Sequence, residues 1–194
     1  MPDKTDAENS HLDWTEQSRE PVLNAKIFDL VRSRRTSRDG RSAEFVLVDC
    51  ADWVNIVAIT KNNAGEDCFI LVRQYRPGGE RQTLEFPGGM VDAGEQPIES
   101  AARELAEETG YRAKWLEQIG KTNPNPAFMT NTVHTFLAHD ISPIDGRRNL
   151  DQNEIVDVEM VPVERLAKQL EPDFFAHGIV IIALYWYENH VDLC

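Results

Sequence analysis

Three glutamates, Glu104, Glu107 and Glu108, stand close together in the stretch GGMVDAGEQPIESAARELAEETGY, which runs from residue 88 to residue 111. On a helix, positions three and four apart share a face, so these carboxylates crowd one side and repel each other. Two arrangements relieve the repulsion. In the plain one the helix face is solvated and Arg103 pairs with Glu107, a contact of small energetic value. In the other a divalent cation gathers the oxygens. Mg²⁺ takes carboxylate ligands and keeps its remaining positions for water and substrate phosphates, which suits a glutamate edge beside an open turn.

Such an edge needs a helix held firmly against a sheet, and the flanking sequence supplies both. Residues 97 to 109 show helical spacing, with Ile98, Ala101, Ala102 and Leu105 on one stripe and Gly110 as the residue that ends the helix. Upstream, AKIFDLVRSRR, the turn SRDGR and AEFVLVDCADWVNIVAIT predict three strands, the first two joined through Asp39-Gly40. CFILVRQYR and TLEF predict two more, each stopped by a Pro-Gly-Gly turn. Beyond the helix, KWLEQIGKT, TNTVHTFLAHDI and IVDVEMVPV read as strands, and VERLAKQL and HGIVIIALYWYENH as helices. This order predicts α/β layers around a mixed sheet, without the regular βαβ repeat of a doubly wound fold. Residues 1–20 are expected to be a flexible tail.

Composition narrows the partners. At 194 residues and 41% hydrophobic, the chain suits one main domain with a small appendage. A net charge of −13 makes a nucleic-acid backbone a poor partner. The longest apolar run, residues 178 to 187, is about half the length that spans a bilayer. Three cysteines without a CxxC pair suggest neither a disulfide framework nor a zinc site. With no apolar segment near residue 1, the expected setting is cytoplasmic, away from membranes. His134, His139 and His177 carry no readable signal.

The glutamate stretch also resembles a known signature. Gly89, then Glu95 after five residues, then Arg103-Glu104-Leu105 after seven, followed by Glu107-Glu108 and Gly110, is similar to an intact Nudix box. The resemblance implies a Nudix fold, an α/β/α sandwich around a mixed sheet, whose box binds Mg²⁺ or Mn²⁺. Glu104, Glu107 and Glu108 would be the metal ligands, while Gly89, Glu95, Arg103 and Gly110 would hold the box in shape. The family reaction is hydrolysis of a nucleoside diphosphate linked to another group: the metal neutralises the diphosphate and activates a water that attacks phosphorus. The glycine pair admits close backbone approach, so the Gly88 carbonyl would be a further ligand.

LVRQYRPGGERQTLEFPGG resembles the stretch ahead of the box in the ADP-ribose pyrophosphatase and nucleotide-sugar branch, and the resemblance runs from about residue 22 to residue 188. It implies that Arg76 and Glu85 serve the substrate site, with Arg73 and Phe128 as further candidates beside NPNPAFMTN. A late loop of the branch supplies a catalytic glutamate, which Glu154 matches, although Gln152 stands where some relatives have a second acid. Glu107 or Glu108 is the alternative base. The resemblance further implies an N-terminal antiparallel β subdomain, residues 21–55, followed by a Nudix domain over 56–194. That subdomain would exchange across a homodimer and offer Phe45 or Trp53 to a base; the alternative is that both are core aromatics, and for Trp53 the core is the favoured place. The implied activity is Mg²⁺-dependent cleavage of a nucleoside diphosphate sugar, ADP-ribose foremost. GDP-mannose, a nucleoside triphosphate, a dinucleoside polyphosphate and a non-catalytic sensing role stay open.

Overall fold

Residues 14–20, expected within a loose tail, instead begin a strand. The computed structural model describes residues 10–145 and 155–191, and in it β1 (Trp14–Asn24) pairs antiparallel with β2 (Asp29–Ser37). The strand escapes a hydrophobic-pattern reading because nearly all of it is exposed and held by polar cross-strand contacts. Glu16 accepts from Ser33, Arg19 and Arg35. Pro21 sits beside a register shift on this edge strand, where its missing N–H is tolerated. The expected hairpin follows: β2 turns through Gly40, at φ 86°, into β3 (Ser42–Asp49).

The chain up to Ala51, with Asn123–Asn131, forms one unit. Within it the returning segment 123–131 is fastened to β3, since Val48 N–H donates to Phe128 O at 2.8 Å and Thr130 N–H to Val48 O at 3.1 Å. Asn123 and Asn125 brace this turn by accepting the amides of Asn125 and Ala127.

The second unit, Asp52–Thr122 with the chain from Thr132, is a six-stranded mixed sheet. Its strands are β4 (Trp53–Lys61), β5 (Asp67–Arg76), β6 (Arg81–Glu85), β8 (Trp115–Thr122), β9 (Val133–His139) and β11 (Asp157–Pro162). A two-residue pair, β7 (Tyr111–Arg112) and β10 (Ser142–Pro143), stands apart. The order is β11-β5-β4-β9-β8, with β6 also on β5, and only β4 and β9 run parallel.

Helices cover both faces. Val54, Ile56, Ile70 and Phe136 pack under α1 (Pro97–Glu104) through Ala101 and Leu105. Val57, Phe69, Leu71 and Leu84 pack on the other face against Leu166 of α2 (Val163–Ala167) and Val180, Ala183 and Leu184 of α3 (Gly178–Val191). The expected sandwich is therefore present. Among the described residues no helix is long and apolar enough to cross a membrane.

One expectation about α1 is corrected. Ile98 is 46% exposed and Ala102 also faces out, so the buried stripe runs instead through Ala101, Leu105 and Glu108. The helix ends in a widened π turn, Leu105–Thr109, capped by Gly110 at φ 73°. A carboxylate therefore occupies a core-facing position that spacing alone assigns to an apolar residue.

Candidate active site

Strand β5 divides its hydrogen bonds. Its first residues pair with β4 and its last with β6, so β4 and β6 diverge and leave a gap. The residues after β6 fill it. Ile56 N–H donates to Pro87 O and Val54 N–H to Gly89 O, both at 2.9 Å, and Val91 N–H donates to Asp52 O at 2.8 Å. The Pro-Gly-Gly stretch thus runs antiparallel beside β4 and delivers the chain to α1 at a fixed height.

Each glycine of the pair meets a separate constraint. A Cβ on Gly88 would stand 2.0 Å from the Val54 carbonyl oxygen, so the backbone of β4 excludes any side chain there. A Cβ on Gly89 would stand 2.3 Å from Glu104 Oε1. Gly89 is therefore the floor of a cradle in which the Glu104 carboxylate lies.

Glu108 is 1% exposed, and its Oε2 accepts the Gly88 amide at 2.8 Å. A buried carboxylate is tolerable only with such charge-directed contacts. Gly88 thus reaches the box through its N–H, in addition to the role expected for its carbonyl. Arg103 organises the rest. It forks onto Glu95 through Nε at 3.1 Å and Nη2 at 3.0 Å, and Nη2 also donates to Met90 O and Ser100 Oγ. Its Nη1 donates to Glu104 at 2.8 Å and to Glu107 at 3.2 Å. The fork holds Glu95 below the ordinary carboxylate range against the opposing effect of burial, and Glu95 in turn raises the guanidinium pKa. The Arg103–Glu107 pairing of the plain reading is therefore present, and Arg103 links both sides of the box.

The donor set suits a hard divalent cation: three carboxylates on two turns of one helix, one buried, one cradled by a glycine and one on the rim. Among the described residues no three acidic, histidine or cysteine side chains are already drawn together around one point, and Arg103 Nη1 bridges Glu104 and Glu107.

A second cluster runs along the antiparallel β5–β6 pair, from Arg76 at the turn to Glu85 opposite Val72. Arg76 forks side-on onto Glu85, Nε to Oε1 at 2.8 Å and Nη2 to Oε2 at 2.6 Å. Thr83 Oγ1 adds 2.5 Å to Oε1, and His177 Nδ1 lies 3.2 Å from Oε2, near enough for an ion contact though not aligned as a hydrogen bond. Burial alone would push the Glu85 carboxyl up; Arg76, His177 and Thr83 together bring it down to about 2. His177 is the residue that sequence reasoning missed, and no local motif marks it.

Arg73 is engaged elsewhere: it pairs with Glu159 across β11 at 2.5 Å and with Asp173 at 2.9 Å, and these partners raise its pKa. Phe128 is 43% exposed and belongs to the first unit. In that unit Phe45 packs edge-on against Trp14 at 5.5 Å; Trp53 belongs to the second unit, half-buried at the start of β4. His134 contacts Asp52 at 3.1 Å and His139 contacts Glu117 at 3.0 Å. The Glu154 expectation lies outside the described residues.

Comparison with known proteins agrees with this geometry. The NUDIX domain profile matches residues 52–182. The chain is similar to an ADP-ribose pyrophosphatase of Bacillus subtilis, 34% identical over 79% of this chain and 81% of that one. It is also similar to a methanol dehydrogenase activator of Bacillus methanolicus, 30% identical over 86% and 88%. A crystal structure of an ADP compounds hydrolase superposes with a TM-score of 0.77 at 24% identity, covering 93% of this chain and 95% of the other. The chain belongs to the NUDIX family, in its ADP-ribose pyrophosphatase branch, and is a Nudix pyrophosphatase.

Proposed function

We propose that the protein hydrolyses the diphosphate of an ADP-sugar, with ADP-ribose the preferred substrate, yielding AMP and ribose 5-phosphate. The observation that carries this reading is the box edge: Glu108 buried behind Gly88, Glu104 seated over Gly89 and Glu107 on the rim. Glu104, Glu107 and Glu108 would hold Mg²⁺ or Mn²⁺, with the Gly88 carbonyl as an added donor. When bound, the metal offsets diphosphate charge and makes an attacking water more acidic.

The chain's own residues do the rest. Arg103 balances Glu104 and Glu107 until a cation takes over that role, and its fork to Glu95 keeps the helix start in place. Arg76 offers a planar donor set to phosphate or ribose oxygens. Its Nε and Nη2 are turned to Glu85, so Nη1 points away from that carboxylate. Arg73, tied to Glu159 and Asp173, supports this strand end, and Phe128 would line the nucleotide pocket. Glu154, Glu107 and Glu108 are the candidates for the base. The active form is proposed to be a cytoplasmic homodimer joined through the N-terminal sheet.

The test is turnover of ADP-ribose, GDP-mannose, ADP-glucose, diadenosine polyphosphates and deoxynucleoside triphosphates, with Mg²⁺ and with EDTA. Mg²⁺-dependent release of AMP from ADP-ribose, selective over the others, is expected. Preference for triphosphates or dinucleoside polyphosphates would move the substrate class. Ligand binding without turnover would leave a sensing domain.

A further inference from the structure

His177 stands just before α3, far in sequence from both the box and the β5–β6 end, yet its ring closes the fourth side of the Glu85 carboxylate. Oε1 is held by Arg76 and Thr83; Oε2 is held by Arg76 at 2.6 Å and approached by His177 Nδ1 at 3.2 Å. Glu85 is 3% exposed, so water cannot stand in for a missing partner without rearrangement.

The histidine is carried on a fixed platform. Its carbonyl accepts the amides of Val180 and Ile181 in the first turn of α3, and its own N–H meets Phe174 O. Four residues upstream, Asp173 accepts both Arg73 and Arg81 at 2.9 Å, and its carbonyl takes the Leu84 amide of β6. Phe174 is wholly buried, edge-on to Phe86 at 5.4 Å. The segment 173–177 is thereby clipped to the strand that carries Glu85, which places the His177 backbone beside that carboxylate.

We propose that His177 is a positioning residue for substrate binding: it fixes the Glu85 carboxylate, which in turn sets the plane in which Arg76 presents its guanidinium to the diphosphate of the nucleotide. The inference rests on the reading of Arg76 and Glu85 as substrate-binding residues. A fork stays in register only while its carboxylate keeps its plane; beside the Arg76 fork itself, Thr83 donates to one oxygen of Glu85 and the His177 ring packs 3.2 Å from the other, so both oppose rotation about its last torsion. Without His177 the pair persists but tilts, which weakens substrate association while leaving the box untouched.

Side-chain amides separate the two imidazole nitrogens. In His177→Asn the amide falls near the position of Nδ1, and in His177→Gln near that of Nε2. The KM and kcat for ADP-ribose, with Mg²⁺ saturating, are measured for both variants, for His177→Leu and for Glu85→Gln. For His177→Leu and His177→Gln, KM is expected to rise about tenfold with kcat within about twofold, and His177→Asn is expected to recover most of the loss. Equal KM values in the Asn and Gln variants, or a fall in kcat alone, would overturn the positioning role. If Glu85→Gln raises KM while none of the His177 variants does, only the role of His177 fails. If Glu85→Gln leaves KM unchanged, the substrate reading of the Arg76–Glu85 pair fails with it.

Discussion

Glu85→Gln provides a measurement of how firmly the β5–β6 anchor is held. The carboxyl falls from an ordinary 4.5 to about 2, burial working against Arg76, His177 and Thr83. That difference corresponds to about 3 kcal/mol of native-state stability, and the half-exposed Arg76 places the value at the lower side, about 2–3 kcal/mol. The sign follows from the lowered folded value: the contribution is complete above the unfolded pKa near 4.5 and is lost as pH falls toward 2. Urea unfolding of wild type and Glu85→Gln at intervals from pH 7 to pH 2.5 isolates this group, because other carboxylates titrate alike in both. The gap between the two proteins should narrow by about 2–3 kcal/mol over that range. Parallel curves would show that Glu85 gains nothing from ionisation, and the clamp would lose its energetic basis.

Two further outcomes concern the box. Glu108→Gln keeps the volume and an acceptor for the Gly88 amide but removes the charge of a proposed ligand, so the Mg²⁺ concentration for half-activation should rise about 10–100-fold with an unchanged circular dichroism spectrum. Near-normal activation would remove Glu108 from the metal site. The glycines should separate by phenotype. Gly88→Ala forces Cβ against Val54 O and should cost about 1–3 kcal/mol of stability, visible as a lower Tm. Gly89→Ala meets the movable end of Glu104 and should raise the Mg²⁺ requirement with a smaller change in Tm. The reverse pattern would contradict the assignment of a backbone constraint to Gly88 and a carboxylate cradle to Gly89.

Strands with apolar runs, such as β4, β5 and β9, are legible from sequence because burial on both faces demands such residues. The hairpin at Gly40 is legible because only a left-handed residue fits the turn. Strand β1 is hidden, since polar pairing holds it and no pattern of buried residues marks it. Ile98 misled the reading of α1 because spacing cannot tell which side of an amphipathic arc meets the sheet, and Glu108 occupies the place an apolar residue would otherwise take. The box glutamates are visible by spacing. The Glu85–His177 contact joins residues 92 positions apart and comes from the path of 173–177 across β6, which no local signal encodes.

The antiparallel seam between Pro87–Val91 and Asp52–Ile56 fixes the register of the chain that leaves β6 for α1. The amides of Val54, Ile56 and Val91 are committed along it, so a residue added or deleted within 87–91 would invert which groups face β4 and would move the glutamate edge from its glycine cradle. Length variation that spares the glutamate edge is therefore expected at turns without such a seam. The Pro77–Gly79 turn and the Asn62–Glu66 hairpin qualify, each closed by local hydrogen bonds. Grafts intended to tag or retune this enzyme belong at those turns, and the segment from Phe86 to Val91 should be carried over unchanged in length.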